Sequence, residues 1–115
     1  MEVSFIISSD ELYTLLSLTS ELSVSGQNFY NEALTNASIC NLSGLIEKEL
    51  AHYVNNELEI EPVIKMIVSA ISQADNIDKH SEVWCIHSRW ITLFCERYEY
   101  HENHWRITPI KEIKS

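Results

Sequence analysis

The spacing of apolar residues changes character once along this chain. Up to about residue 74 they recur mainly at helical intervals, and after Asp78 they crowd into runs rich in β-branched and aromatic side chains. A chain of 115 residues has room for one compact domain and not two. There is no Pro/Gly/Ser-rich linker and no internal repeat, so residues 1–115 read as a single α+β domain. The expected order is N-terminal helices with a small hairpin, then a C-terminal three-stranded antiparallel sheet.

The helical half carries its own punctuation. Ser8-Ser9-Asp10-Glu11 has the spacing of a capping box, with Ser8 as N-cap and Glu11 three positions into the helix. Leu12, Leu15, Leu16 and Leu22 extend the pattern to about Leu22, and Ser23 to Gly26 breaks it. A second helix is expected over Gln27–Thr35, burying Phe29, Tyr30, Ala33 and Leu34. A third covers Asn41–Leu50 through Leu42, Leu45 and Ile46. Over Ala51–Ile60 the period shortens around Asn55-Asn56, residues that tolerate the left-handed turn of a hairpin. Pro62 suits a first helical position, and Val63, Ile64, Ile67, Val68 and Ile71 form one stripe, giving a helix over Pro62–Ala74.

Three strands are expected over Glu82–His87, Trp90–Tyr100 and Trp105–Ile110. With Glu102-Asn103 as a tight turn, Tyr100 faces Trp105, Glu99 faces Arg106 and Tyr98 faces Ile107. Tyr98, Tyr100, Trp105 and Ile107 then share one face, and Arg97, Glu99, His101, His104, Arg106 and Thr108 share the other. At the first hairpin both faces are apolar, with Trp84, Ile86, Ile91 and Leu93 opposed to Val83, Trp90 and Phe94. That pattern suits a sheet covered by helices on one side and bearing a second apolar patch on the other.

Charge narrows the partners. The net charge is −9, and residues 1–64 hold ten acids against one base, Lys48, whereas residues 65–115 hold seven of each. Nucleic-acid and anionic-membrane binding both draw on Lys and Arg, and the first 47 residues of the acidic half have neither. A basic protein surface is its natural complement. No apolar run approaches the roughly 18 residues of a membrane span, and no basic segment precedes a signal-like stretch. Three cysteines at irregular spacing make no disulfide framework. The chain is therefore expected to be soluble and cytoplasmic.

The chain carries only fragments of catalytic and metal-binding patterns. Cys85-x-His87 and His101-x-x-His104 resemble half-sites for zinc, but the register above turns them to opposite faces, with Cys95 facing away from Cys85 and Cys40 in a distant loop. No metal and no cofactor are expected. No Gly-rich phosphate loop, nucleophile elbow or H-E-x-x-H occurs, and no oriented base is evident beside a cysteine. Glu57, Glu59 and Glu61 alternate as on a solvated strand. The chain reads as a non-enzyme. Trp84, Trp90 and Trp105 lie close together in sequence, each suited to a core, or to an interface if left uncovered beside Arg89 or Arg97.

Leu42-Ser43-Gly44-Leu45-Ile46-Glu47-Lys48-Glu49-Leu50, followed by Val54-Asn55-Asn56-Glu57-Leu58-Glu59-Ile60-Glu61-Pro62, resembles the helix, hairpin, helix layout of winged-helix-like modules. A variant opens the EspG-like chaperones of type VII (ESX) secretion, which also begin with a short strand and a helix similar to Glu11-Leu12-Tyr13-Thr14-Leu15-Leu16. Those proteins continue into an antiparallel sheet, as here over Glu82–Ile110. The chain departs in having Glu49 where the turn usually has glycine, and 115 residues would make only part of such a fold. The resemblance implies cytosolic binding of secretion substrates and no catalytic residue.

The function expected is that of a small non-enzymatic protein-interaction module, a chaperone or adaptor, with Arg97, Tyr98, Tyr100, Trp105 and Arg106 meeting a protein partner or a second copy of the chain. The alternative is an acidic inhibitor or immunity protein, DNA mimics included, that covers a basic toxin, nuclease or effector. Winged-helix DNA binding is opposed by the charge.

Overall fold

A computed structural model describes residues 4–18, 21–39, 42–89 and 91–111. In chain order the elements are β1 (Phe5–Ser8), α1 (Ser9–Ser17), α2 (Val24–Ala33), α3 (Leu42–Glu47), β2 (Ala51–Val54), β3 (Glu57–Ile60), α4 (Pro62–Ser72), β4 (Asn76–His80), β5 (Val83–His87), β6 (Ile91–Arg97) and β7 (His104–Lys111). The main sheet has five antiparallel strands in the order β1-β7-β6-β5-β4, and β2 and β3 pair separately. The α+β class is as expected. The sheet is wider than expected, because β1 and β4 flank the three anticipated strands. Phe5-Ile6-Ile7-Ser8, where the resemblance implies a short opening strand, joins this sheet as β1, and Asn76-Ile77-Asp78-Lys79-His80 is too polar to show a clear strand pattern.

Local signals set most helix starts. Ser8 caps α1 by accepting from the Glu11 N–H at 3.0 Å, and the Glu11 carboxylate accepts from the Ser8 N–H at 2.9 Å. This helix stops at Ser17, with Leu18 as its C-cap, rather than near Leu22, and Ser23 is itself the N-cap of α2. The Ser23 hydroxyl accepts from the Gly26 N–H at 3.0 Å and donates to the Ala74 carbonyl at 2.7 Å. The presumed breaker is thus the start of the second helix. Asn55 and Asn56 turn the small hairpin with φ of 52° and 65°, the left-handed pair that a two-residue turn requires. Glu61 accepts from the Val63 N–H at 2.8 Å and caps α4, so it belongs to the helix rather than to a solvated strand row.

The helices cover one face of the main sheet. Ile64, Ile67, Val68 and Ile71 of α4 meet Leu12, Leu15 and Leu16 of α1, Phe29 of α2, and inner-face residues Ile7, Trp84, Ile86, Leu93, Cys95, Trp105 and Ile107 in one buried cluster. Phe29 stands edge-on to Trp84 and Trp105, with ring centres 5.4 and 6.0 Å away. The partition of the β5–β6 hairpin is as expected, with Trp84, Ile86, Ile91 and Leu93 inside and Val83 and Phe94 outside. Trp90 and Cys40 lie outside the described residues.

The β6–β7 register differs by three residues from the expected one. Arg97 pairs with Trp105, Glu96 with Arg106 and Cys95 with Ile107, and residues 98–103 form the connection. The physical reason is burial. The expected register sets Glu96 beside Pro109 on the Trp105 face, whereas the observed one brings Leu93 and Cys95 opposite Pro109 and Ile107. Asn103 supplies a left-handed turn position at φ 59°, and its carbonyl accepts from the Ser9 N–H at 2.6 Å. An odd shift exchanges the faces of β6 relative to β7.

Candidate protein-interaction surface

The register decides where each candidate residue lies. Trp105 is 1% exposed, so it is a core residue rather than a surface anchor. Arg97 shares its face and stacks on it, with the guanidinium carbon 4.6 Å from the ring centre. Tyr98, Tyr100 and Arg106 form a separate group at the loop end of the sheet. Arg106 lies on the outer face, pairs with Glu96 at 3.7 Å and stands 5.4 Å from the Tyr98 ring centre. Tyr98 meets Tyr100 edge-on at 5.3 Å and stacks against His101 at 5.9 Å. His101 in turn lies 5.4 Å from His104. Tyr100 is 69% exposed. Nothing in the string His101-Glu102-Asn103-His104 signals that His101 packs against tyrosine.

From this cluster the outer face runs back across the strands. One rung joins His80, Val83, Glu96, Arg106 and Ile6, and the next joins Asp78, Cys85, Phe94 and Thr108. Val83, Cys85, Phe94, Arg106 and Thr108 remain partly exposed. Apolar groups therefore occupy the middle of this face, flanked by the His87–Asp78 contact at 3.2 Å and the Arg106–Glu96 ion pair. An aromatic and arginine cluster beside a half-exposed apolar strip has the composition of a protein-binding surface.

The expected separation of the histidine and cysteine pairs is corrected. His104 lies on the same outer face as Cys85 and His87. His87 shares a rung with Thr92 and Ile110, however, six residues along β7 from His104. Among the described residues no group of three His, Cys, Asp or Glu side chains could hold a metal ion. Cys95 faces away from Cys85, as expected. Burial, and then the Asp78 carboxylate, raises the Cys85 thiol, and complete burial drives the Cys95 thiol far above its ordinary value. Both therefore favour the unreactive thiol at neutral pH.

The second surface feature is the β2–β3 hairpin. Its Ala51 end is held in the core, and the Glu61 N–H donates to the Leu50 carbonyl at 2.9 Å to close its base. Toward the turn it is solvated on both sides. Tyr53 is 59% and Val54 38% exposed, while Glu57 and Glu59 line β3. His52 lies 3.8 Å from Glu59 across the pair.

Comparison of the chain with family models, with curated proteins and with solved structures found no match. No helix among the described residues is long and apolar enough to cross a membrane.

Proposed function

We propose that this chain is a small non-enzymatic interaction module that docks a partner protein through the loop end and outer face of its five-stranded sheet. The observation that carries this reading is Tyr100, 69% exposed yet packed edge-on against Tyr98. A large ring held in place before binding loses little freedom on association, which is the usual advantage of tyrosine at an interface. Trp105 drops out of the site, and Arg97 lies on the other side of the sheet. The working residues are then Tyr98, Tyr100 and Arg106. The resemblance carried by residues 11–16 and 42–62 suggests a cytoplasmic adaptor for secretion substrates as the specific form of this function. A second copy of the chain is another partner for the same face.

The projecting hairpin favours a second reading, an acidic inhibitor. Tyr53 and Val54 beside Glu57 and Glu59 would suit a basic cleft on a toxin or nuclease. The two readings separate on salt. Docking through Tyr100 and the apolar strip should change little between low and high ionic strength, whereas acidic docking should weaken steeply. The experiment is affinity capture from the native host with mass spectrometry, repeated with Tyr100→Ala and with Tyr53→Ala plus Glu59→Gln, alongside sedimentation to detect self-association. Loss of the captured partner, or of the dimer, with Tyr100→Ala alone supports the main reading. Retention in Tyr100→Ala with loss in the hairpin variant overturns it in favour of the inhibitor.

A further inference from the structure

A polar cleft opens on the helix-covered side of the sheet, between the end of α2 and the tips of β4–β7. It encloses about 320 Å³ and is lined by Glu32, Lys79, Glu82, Trp84, Arg97 and Trp105. The ring faces of its floor are already occupied by cations: Lys79 Nζ is 5.0 Å from the Trp84 ring centre, and Arg97 lies over Trp105. Both rings are fixed from below by Phe29, and the Trp105 indole N–H donates to Ser9 Oγ at 2.9 Å. The cations are therefore held on a rigid base. Stacking also leaves the edge N–H groups of a guanidinium free for a carboxylate.

Four charged groups of both signs line this one cleft, and among the described residues none of them forms an ion pair. The basic side chains are stacked on tryptophan. Glu32 belongs to the last turn of α2, where the helix dipole adds negative potential to its own charge. A plain anion would meet Glu32 and Glu82, and a plain cation would meet Lys79 and Arg97. A ligand carrying both charges satisfies all four. A second cavity shares Glu32 and Arg97 with the first and is lined also by Asp10, Thr35, Asn36, Ser38 and Asn103; it would receive a polar, uncharged side chain.

We infer that this cleft binds a small zwitterion, a polar free α-amino acid, with its carboxylate on Arg97 and Lys79 and its ammonium on Glu32 and Glu82. The inference is independent of the interface assigned to Tyr100, which lies at the outer loop end. It is tested by titrating the full chain with L-serine and L-glutamine, reading tryptophan fluorescence and calorimetric heat, with acetate and methylamine as single-charge probes. Saturable binding of the amino acids is expected, with no saturable response to acetate or methylamine. Arg97→Gln and Glu82→Gln should each weaken it by about tenfold or more, as loss of a charge-assisted hydrogen bond implies, while both variants melt cooperatively near the parent temperature. Tyr100→Ala should bind serine unchanged. The inference is overturned if neither amino acid binds saturably, if acetate binds as well as serine, or if the two charge-neutralising variants bind as the parent does.

Discussion

The indole N–H of Trp105 donates to the hydroxyl of Ser9 at 2.9 Å, joining the last strand to the first residue of the first helix. Both partners are buried, so the bond is part of the core and not of a surface. Trp105→Ala should therefore cost about 3–5 kcal/mol of stability. Tyr100→Ala removes an exposed ring and should stay within about 0.5 kcal/mol of the parent. Urea denaturation of the two variants measures the contrast. Equal loss in both would return Tyr100 to the core.

The two glycines should respond in opposite directions to alanine. A Cβ on Gly26 would meet the backbone carbonyl oxygen of Ile71 well inside contact distance, where α2 crosses α4. Gly26→Ala is expected to destabilise by about 2 kcal/mol or more, since a backbone oxygen cannot rotate aside. Gly44 lies within α3 with open space around it, and Gly44→Ala should stabilise by about 0.5–1 kcal/mol through helix propensity. Thermal melting of the pair checks both signs, and a stabilised Gly26→Ala would contradict the tight crossing.

Glu11 makes stability depend on acid. Burial raises its carboxyl, but the Ser8 N–H, the Lys48 ammonium at 3.0 Å and the Ser8 hydroxyl together outweigh that and hold it below its ordinary value of 4.5. A depressed carboxylate contributes stability that is fully present above its unfolded value and is lost as pH falls through the lower folded one. Lys48→Met should remove about 1 kcal/mol at neutral pH, Lys48 being half exposed. It should also flatten the loss of stability on acidification below the ordinary value. Denaturation midpoints measured from neutral to acid pH test this, and an unchanged slope in the variant would contradict it.

Thiol labelling should distinguish the two described cysteines. Cys95 is fully buried and Cys85 partly exposed, and both thiols are raised. In the native protein iodoacetamide should leave Cys95 unlabelled and reach Cys85 only slowly, and denaturant should equalise them. Peptide mapping reads the result. Prompt native labelling of Cys95 would place it outside the core.

The sequence was most legible where a feature is local. The Ser8 and Glu11 box, the Asn55-Asn56 turn and Pro62 at a helix start each act over a few residues, and all three stand where the pattern puts them. The β6–β7 register was not legible, because a tight turn at Glu102-Asn103 satisfies local grammar equally well. The deciding cost, a buried Glu96, arises only when the helices cover the Trp105 face. That long-range effect moved Arg97 beside Trp105 and left Tyr98 and Tyr100 on the connection. The cleft was illegible for the same reason, since Glu32 and Lys79 approach Arg97 only through tertiary packing. Tyr100 and Arg106 could be proposed from residue type alone, which carries no information about burial.

The pairing of β1 with β7 sets the timing of assembly. During synthesis Phe5–Ser8 leaves the ribosome long before the strand that completes its ladder. Until then the chain must keep Ile6 and Ile7 from pairing elsewhere, and the capped α1 that follows immediately gives this segment an early local anchor. Closing so long a loop makes folding slow relative to a helical bundle of this size. Until β7 docks, the nascent β1 carries two unpaired edges, and docking leaves only the outer one, so the vulnerability to aggregation falls with that step.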